Sequence, residues 1–234
     1  MNAVVLDSIG KSYSLGAVGV AALCDIDLEI RSGRLTMIAG ASGSGKSTLL
    51  NLIGCIDRPD SGRLVVAGQD IARLSDDALS DFRVRHLGFV FQNFNLIPVL
   101  TAYENVEYPL LLANASKGHR ARRVSELLDA VGLADKAKHR PGQLSGGQRQ
   151  RVAVARALAA SPRIVLADEP TANLDSHTGA AIIALMRRLQ QEQGVSFVIS
   201  SHDPQVLAIG DDVVRIADGR IVNVCRGLGE REAA

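Results

Sequence analysis

A glycine-rich segment carries the clearest chemistry in the sequence. It reads Gly40-Ala41-Ser42-Gly43-Ser44-Gly45-Lys46-Ser47-Thr48 and satisfies the pattern G-x-x-x-x-G-K-[ST]. Such a loop points successive backbone N–H groups at phosphate oxygens, and the helix that follows adds its positive N-terminal end. We expect Lys46 to neutralise the β- and γ-phosphates and Ser47 to offer a hydroxyl ligand to Mg²⁺. The segment predicts a site for a nucleoside triphosphate.

Two adjacent carboxylates, Asp168 and Glu169, follow the apolar run 164–167. Because ligands gather at the carboxyl ends of parallel strands, we expect Asp168 to face the Mg²⁺. Glu169 is then placed to orient or deprotonate a water molecule that attacks the γ-phosphate. An isolated Asp-Glu pair is most often a solvated strand end. In a chain that also has a phosphate loop, the pair predicts hydrolysis.

Two further polar residues follow predicted strands. His202 lies just past the apolar run 197–200, and Gln92 follows the run 87–90. From a strand end His202 could reach the γ-phosphate, whereas the amide of Gln92 could contact both the metal and the attacking water. The remaining histidines lack such a position and are interpreted as ordinary surface residues: His86, His119, His139 and His177.

Short apolar runs bounded by turn residues predict the buried strands of the fold. These runs are 35–39, 87–90, 164–167, 197–200 and 213–216. Apolar residues at helical spacing predict helices at 46–55, 120–131, 145–160 and 176–191. Strands that alternate with helices indicate an α/β fold with a mainly parallel sheet.

The beginning of the chain has a different pattern. Residues 4–6 and 23–30 are strand-like and, with 63–66, predict an antiparallel β flank. No repeat, low-complexity stretch or linker divides the sequence, so we expect 1–234 to form one domain. From about Arg226 the sequence predicts a frayed polar tail.

Composition excludes several classes of protein. The chain has 234 residues, 47% of them hydrophobic, and 26 basic against 25 acidic residues, so no charge excess indicates nucleic-acid binding. Cys24, Cys55 and Cys225 show neither disulfide-framework nor zinc spacing, which fits a reducing compartment. The uncharged stretches 12–24 and 87–103 contain polar breaks, so we predict no signal peptide and no membrane crossing.

A short motif then decides the family. Leu144-Ser145-Gly146-Gly147-Gln148 opens the predicted helix 145–160 and is the signature of the ATP-binding cassette family. The chain resembles that family over nearly its whole length, and its motifs come in the family's order. They are Tyr13, the phosphate loop, Gln92, the signature, Asp168-Glu169, Asp175 and His202.

The resemblance implies a fold and several residue roles. The fold is that of P-loop NTPases, with a helical subdomain at about 93–160 that carries the signature. Tyr13 would stack on adenine, Asp175 would lie in the loop that crosses the dimer interface, and His202 would be the switch histidine. The turn Ser145-Gly146-Gly147 is a second helix N-terminus able to hold an anion. In the family it caps the γ-phosphate bound by the opposite subunit, which implies a homodimer around two ATP molecules.

Four sequence segments are similar to the corresponding segments of lipoprotein-release, macrolide-export and cell-division ATPases. These segments are 42–51, 88–92, 100–106 and 166–171. Members of that group pair with membrane subunits that have few spans, so the resemblance implies a peripheral protein on the cytoplasmic face of a membrane. We expect 93–105 to contact this permease subunit. The departures from the pattern are Arg34, Ala172 and Ser201, where an acidic residue, glycine and threonine are common, and none removes a catalytic group.

Two other functional classes use the same nucleotide motifs. A soluble cassette ATPase of DNA repair or translation is disfavoured, because repair types carry very long coiled-coil insertions between Lys46 and Ser145 and translation types carry two cassettes. A complex that transmits force to control cell-wall hydrolysis has the same catalytic residues and stays open. The transported substrate belongs to the membrane subunit.

Overall fold

The computed structural model describes residues 1–15 and 18–227, arranged as ten strands, seven α-helices and three single-turn 3₁₀ helices. The strands are β1 Asn2–Leu15, β2 Val18–Arg31, β3 Leu35–Ala39, β4 Ser61–Val66, β5 Gln69–Asp70, β6 Leu87–Phe91, β7 Ile164–Asp168, β8 Ser196–Ser201, β9 Asp212–Ala217 and β10 Arg220–Arg226. The helices are α1 Lys46–Ile53, α2 Asp76–His86, α3 Ala102–Leu112, α4 Lys117–Ala130, α5 Gly146–Leu158, α6 Ser176–Gln193 and α7 Pro204–Leu207.

A six-stranded sheet forms the centre of the molecule, in the order β10-β9-β3-β8-β7-β6. All neighbours from β9 to β6 pair in parallel, and only the edge strand β10 is antiparallel. The second sheet, β2-β1-β4-β5, is antiparallel throughout. The predicted mainly parallel sheet with an antiparallel flank is confirmed.

Both faces of the central sheet are buried. Met37 and Val165 point into a cluster formed with the helices α3 to α6, whereas Ile38 and Leu166 point into a cluster with α1 and the antiparallel sheet. Successive residues of a strand face opposite sides, so a strand covered on both sides is mostly apolar. This is why the strands appear in the sequence as nearly continuous apolar runs, with few polar residues such as the buried Thr36 of β3.

Several predicted boundaries are wrong by a few residues. Helix α1 ends at Ile53, not at residue 55, because Gly54 ends the helix and Cys55 has a φ of 54°. Helix α5 ends at Leu158, not at 160, and Ser161 has a φ of 53°. Arg226 belongs to β10 and pairs with Asp212, so the predicted tail does not begin there. Residues 228–234 of that tail and residues 16–17 lie outside the described residues.

Candidate nucleotide site

The carboxyl ends of three neighbouring strands meet the phosphate loop at one cavity of about 700 Å³. Gln92 follows β6, Asp168 ends β7 with Glu169 directly after it, and His202 follows β8. Because β6, β7 and β8 are parallel neighbours, these four side chains share one edge of the sheet. The phosphate-loop residues that line the same cavity are Ala41, Ser42, Gly43, Gly45, Lys46, Ser47 and Thr48.

The phosphate loop has the backbone that its glycines permit. Gly43 and Gly45 have φ angles of 78° and 105°, which only glycine adopts without strain. Helix α1 starts directly after Gly45, and no side chain caps its N-terminus. The side chain of Lys46 is only 6% exposed, and its Nζ donates to the carbonyl oxygens of Gly40 and Ala41, each at 2.9 Å. Uncapped N–H groups and a centred ammonium ion suit an anion.

Hydroxyl and carboxylate oxygens converge beside the loop. Ser47 Oγ donates to Asp168 Oδ2 at 2.8 Å, and the other Asp168 oxygen accepts a hydrogen bond from Ser200 Oγ at 2.6 Å. These hard oxygen donors fit Mg²⁺, which is usually held by one or two protein ligands together with substrate phosphates and water. Among residues 1–15 and 18–227, no cluster of three or more histidine, cysteine, aspartate or glutamate residues could hold a metal ion.

Glu169 lies between two nitrogen groups. Its Oε1 is 3.5 Å from Lys46 Nζ, and its Oε2 is 3.2 Å from His202 Nδ1. Glu169 has a φ of 43°, an unusual backbone conformation for a residue with a side chain. Its backbone N–H donates to Ser200 Oγ at 2.9 Å, which holds this turn against β8. The arrangement places a carboxylate where it can contact a water molecule beside a phosphate on Lys46.

The loop after Gln92 is attached to two distant parts of the chain. Asn173 Nδ2 donates to the Gln92 carbonyl at 3.1 Å and to Asn93 Oδ1 at 2.7 Å. Phe94 and Asn95 both have positive φ angles, 60° and 47°. Arg156 of α5 holds this pair by donating to the carbonyl of Phe94 at 2.9 Å and that of Asn95 at 2.5 Å. The Gln92 loop is therefore linked to the helix that carries the signature.

The signature residues do not line the cavity. Ser145 caps α5 and forms a capping box with Gln148: Ser145 Oγ accepts from Gln148 N at 3.2 Å, and Gln148 Oε1 accepts from Ser145 N at 2.9 Å. A Cβ at Gly147 would lie 2.5 Å from Thr178 Cγ2, so glycine allows α5 to approach α6 closely. The first turn of α5 and the start of α6 thus form one surface outside the cavity.

Asp175 and Tyr13 also lie outside the cavity lining. Asp175 caps α6 by accepting from Thr178 N at 2.9 Å, and hydrogen bonds from Thr178 lower the pKa of its carboxyl. Tyr13 lies on β1 and is 38% exposed. Its partner across the β1–β2 hairpin is Val20, which does line the cavity.

Some contributors to the site carry no motif. Ser200 is fully buried, and its hydroxyl donates to the Asp168 carboxylate and accepts from the Glu169 backbone N–H. Residues 20–22 of β2 form part of the cavity wall. A polar residue near the end of an apolar run is a signal that could have indicated Ser200. Nothing in the sequence of 20–22 indicates contact with the phosphate loop, because that contact depends on how the two sheets pack.

Comparisons with known proteins agree with this geometry. The family model described as ABC transporter matches residues 23–172. An uncharacterized ABC transporter ATP-binding protein of Thermotoga maritima is 49% identical over 221 residues, which is 94% of each chain. A macrolide export ATP-binding/permease protein MacB of Photorhabdus laumondii is 46% identical over 95% of this chain, which spans only 34% of that protein.

A solved structure is also similar. It is a dimeric post-hydrolysis state of the ATP-binding cassette MJ0796 bound to ADP and Pi. It is 44% identical in sequence and superposes with a TM-score of 0.87, over 95% of this chain and 98% of that chain. The phosphate loop, the strand-end carboxylates and these similarities lead to one conclusion: the chain belongs to the ABC transporter family and is an ATP-binding subunit that hydrolyses ATP.

Proposed function

We propose that two copies of this chain close head to tail around two ATP molecules and drive a separate membrane permease. The observation that carries the proposal is that the predicted site residues lie on two separate surfaces of the chain. Lys46 and Glu169 line the cavity, whereas Ser145 lies on another surface with an exposed helix N-terminus. Each site becomes complete when a second copy adds its own Ser145 end. A dimeric structure of the similar cassette MJ0796 supports this pairing.

In this proposal each motif has one role. The phosphate loop and Lys46 bind the triphosphate, and Glu169 orients or deprotonates the attacking water while His202 positions the carboxylate. Ser47, Asp168 and Gln92 would hold Mg²⁺, which neutralises charge on the phosphates when it is bound. Tyr13 stacks on adenine. The oxygen of the attacking water bonds to the γ-phosphorus, and the bond between the γ-phosphorus and the oxygen that bridges the β- and γ-phosphates breaks. The products are ADP and phosphate. The dimer opens as they leave.

The dimer can be tested at the signature end. In a Glu169→Gln background with ATP, Ser145→Arg should weaken dimerisation at least about 100-fold, because a bulky charge enters the centre of a buried contact. Light scattering measures the mass, and each chain should still bind one ATP. Ser116→Arg is a matched control, since Ser116 is an exposed N-cap of α4 outside the cavity. A Ser145→Arg protein that dimerises like the control contradicts the pairing.

We propose a few-span permease of the lipoprotein-release or macrolide-export type as the partner, on the cytoplasmic face of a membrane. A relative is named an ATP-binding/permease protein, and this chain spans about a third of it. Among residues 1–15 and 18–227, none of the helices combines the length and hydropathy needed to cross a bilayer. Helices α3, α4 and α5, which pack on one another, would form the helical subdomain at about 93–160.

The permease would dock on an apolar groove of about 370 Å³ between β6 and the helices α3 and α5. The loop 93–101 leads into it, and its lining includes Phe89, Ile97, Tyr108 and Leu112. Tyr108 and Leu112 are 41% and 52% exposed. Apolar side chains that stay exposed beside a groove are typical of a binding surface. The predicted contact at 93–105 is therefore extended to the end of α3.

Leu112→Asp should separate docking from catalysis. We expect the ATPase rate of the isolated subunit to stay within about two-fold, while co-purification of the permease falls about 10-fold or more, since a charge would be buried in the interface. Val222→Asp on β10 is the control, because Val222 is 61% exposed and outside the groove. Glu104 also lies within 93–105, but its carboxylate caps α3 by accepting from Thr101 N at 2.7 Å. A substitution there would disturb the helix as well as the docking surface. Equal recovery with both variants contradicts this docking site.

The identity of the membrane partner would distinguish transport from the alternative functions. A tagged Glu169→Gln protein would be loaded with ATP and extracted from membranes in mild detergent, and the co-purifying polypeptide identified. A permease with few spans and a large outer domain supports the proposal. A membrane protein that controls cell-wall hydrolysis would favour the force-transmitting class, and a homodimer without a membrane partner would contradict the transport role.

A further inference from the structure

A cluster of charged side chains beside the cavity holds Tyr13 in one place. The Tyr13 hydroxyl donates to Asp57 Oδ2 at 2.9 Å, and Lys11 Nζ donates to Asp57 Oδ1 at 2.9 Å. Lys11 also donates to the Arg58 carbonyl at 2.8 Å and to Asp60 Oδ1 at 3.3 Å. One oxygen of Asp57 thus binds the lysine and the other binds the tyrosine.

The cluster keeps the protonation states that this hydrogen bond needs. The side chains of Lys11 and Asp57 are 11% and 31% exposed. Burial opposes the charge on Asp57, but hydrogen bonds from Lys11, the Arg58 backbone and Tyr13 outweigh it and lower the pKa of the carboxyl. The pKa of Tyr13 is raised, mainly by burial and to a smaller extent by the hydrogen bond to Asp57. At neutral pH the carboxylate is charged and the phenol keeps its proton, so the hydroxyl donates.

The position of the ring is the second observation. Tyr13 faces Val20 across the hairpin, and Val20 lines the cavity. The hydroxyl of Thr48, another residue of the cavity lining, is near enough to the phenol to oppose the rise in its pKa. Lys11 Nζ lies over the ring at 5.3 Å from its centroid. The lysine occupies one face of the ring, and the residue remains 38% exposed. A flat ligand at this end of the cavity can stack on the other face.

We infer that Asp57, held by Lys11, is a positioning residue that fixes the Tyr13 ring as a platform for the nucleotide base. The inference rests on the proposed ATP site and adds a determinant of how tightly the base, rather than the phosphates, is bound. A side chain that is already ordered loses little rotamer freedom when the ligand binds. Stacking on an aromatic ring tolerates different bases, so the platform serves ATP and GTP alike.

Asp57→Ala tests this role, because it releases the tyrosine hydroxyl and the lysine together. We expect the Kd for ATP, measured by calorimetry, and the KM to increase roughly 3- to 10-fold, with kcat at saturating ATP within about two-fold of the parent. Inorganic tripolyphosphate has no base, so its Kd should not change. Asp57→Asn keeps an acceptor for the hydroxyl and should give an intermediate Kd for ATP.

A double-mutant cycle and a matched control complete the test. In a Tyr13→Phe background, Asp57→Ala should cause little further loss of ATP affinity, because the hydroxyl it positions is gone. Asp70→Ala is the control, since Asp70 pairs with Arg63 on the same antiparallel sheet but lies outside the cavity lining. Its Kd for ATP should match that of the parent.

Two results would overturn the positioning role: an unchanged Kd for ATP in Asp57→Ala, or an equal loss of affinity for ATP and tripolyphosphate. The second result would mean that Asp57 supports the phosphate loop instead. Failure of the parent protein to bind either ligand would contradict the proposed ATP site itself, which is a distinguishable outcome. Thermal melting of each variant checks that the fold is intact.

Discussion

Replacing Glu169 with glutamine should lower kcat for ATP at least about 100- to 1,000-fold, because positioned general bases contribute factors of that size. Glutamine keeps the shape of the side chain and can still accept a hydrogen bond, but it does not take up a proton from water. ATP affinity should stay within about two-fold, since the proposed contacts to the phosphates come from Lys46 and the loop and not from Glu169. Single-turnover phosphate release and equilibrium ATP binding measure the two effects, and the ATP-bound dimer should accumulate.

Glu107→Gln is a matched control for this substitution. Glu107 is 20% exposed and Glu169 is 23% exposed, and each lies beside a basic side chain. Glu107 pairs with Arg120 at 2.8 Å on the helices α3 and α4, outside the cavity. The control should hydrolyse ATP at the parental rate. If Glu169→Gln did the same, Glu169 would have no role as the base.

The largest expected loss of stability comes from Asp211→Ala. Asp211 is only 5% exposed, accepts from Leu35 N at 2.8 Å and binds Arg187 of α6 through two hydrogen bonds of 2.7 and 2.6 Å. Truncation removes the carboxylate from the guanidinium, which keeps Gln190 Oε1 as an acceptor, and leaves the buried Leu35 N–H without one. Breaking a buried pair in this way costs about 3–5 kcal/mol. Urea unfolding measures the difference. Asp135→Ala, at an aspartate that is 71% exposed, should leave the urea midpoint close to that of the parent. Equal midpoints for Asp211→Ala and Asp135→Ala would refute the argument.

The same carboxylate gives stability a dependence on pH. Burial opposes its charge, but hydrogen bonds from Arg187 and Leu35 outweigh burial and lower the pKa of Asp211 in the folded protein. A lowered pKa stabilises the fold above the unfolded value, about 3.9, and this contribution is lost as the pH falls through the folded pKa. The advantage of the parent over Asp211→Asn should therefore be complete at pH 6 and shrink below about pH 4.

The central strands could be predicted because their burial on two faces leaves an apolar run in the sequence. Each of the five predicted runs lies within a strand of the parallel part of the sheet. Helix α2 could not be predicted in this way, since Leu79 is its only buried residue and its apolar spacing is weak. The edge strand β10 is largely exposed, and its pairing with β9 depends on the tertiary structure.

The sequence also predicts which motif residues meet at the cavity, namely the phosphate loop and the residues that follow the strand ends, and their roles stay predictions. The supporting contacts of these residues could not be predicted. Ser200 meets Asp168 only because β8 lies beside β7, and Asp57 meets Tyr13 only because the loop after α1 packs on β1. Contacts between residues this far apart in sequence depend on the packing of the sheets and leave no local pattern.

The separation of Ser145 from the cavity has a consequence for how hydrolysis responds to protein concentration. On the proposed pairing, the ATPase rate of free subunits rises with the square of their concentration while dimers are scarce. In a permease complex that holds two copies together, the copies do not have to meet by diffusion, because each is present near the other at an effective concentration in the millimolar range. Hydrolysis then becomes first order in the assembled complex, and unassembled subunits leave cellular ATP largely untouched.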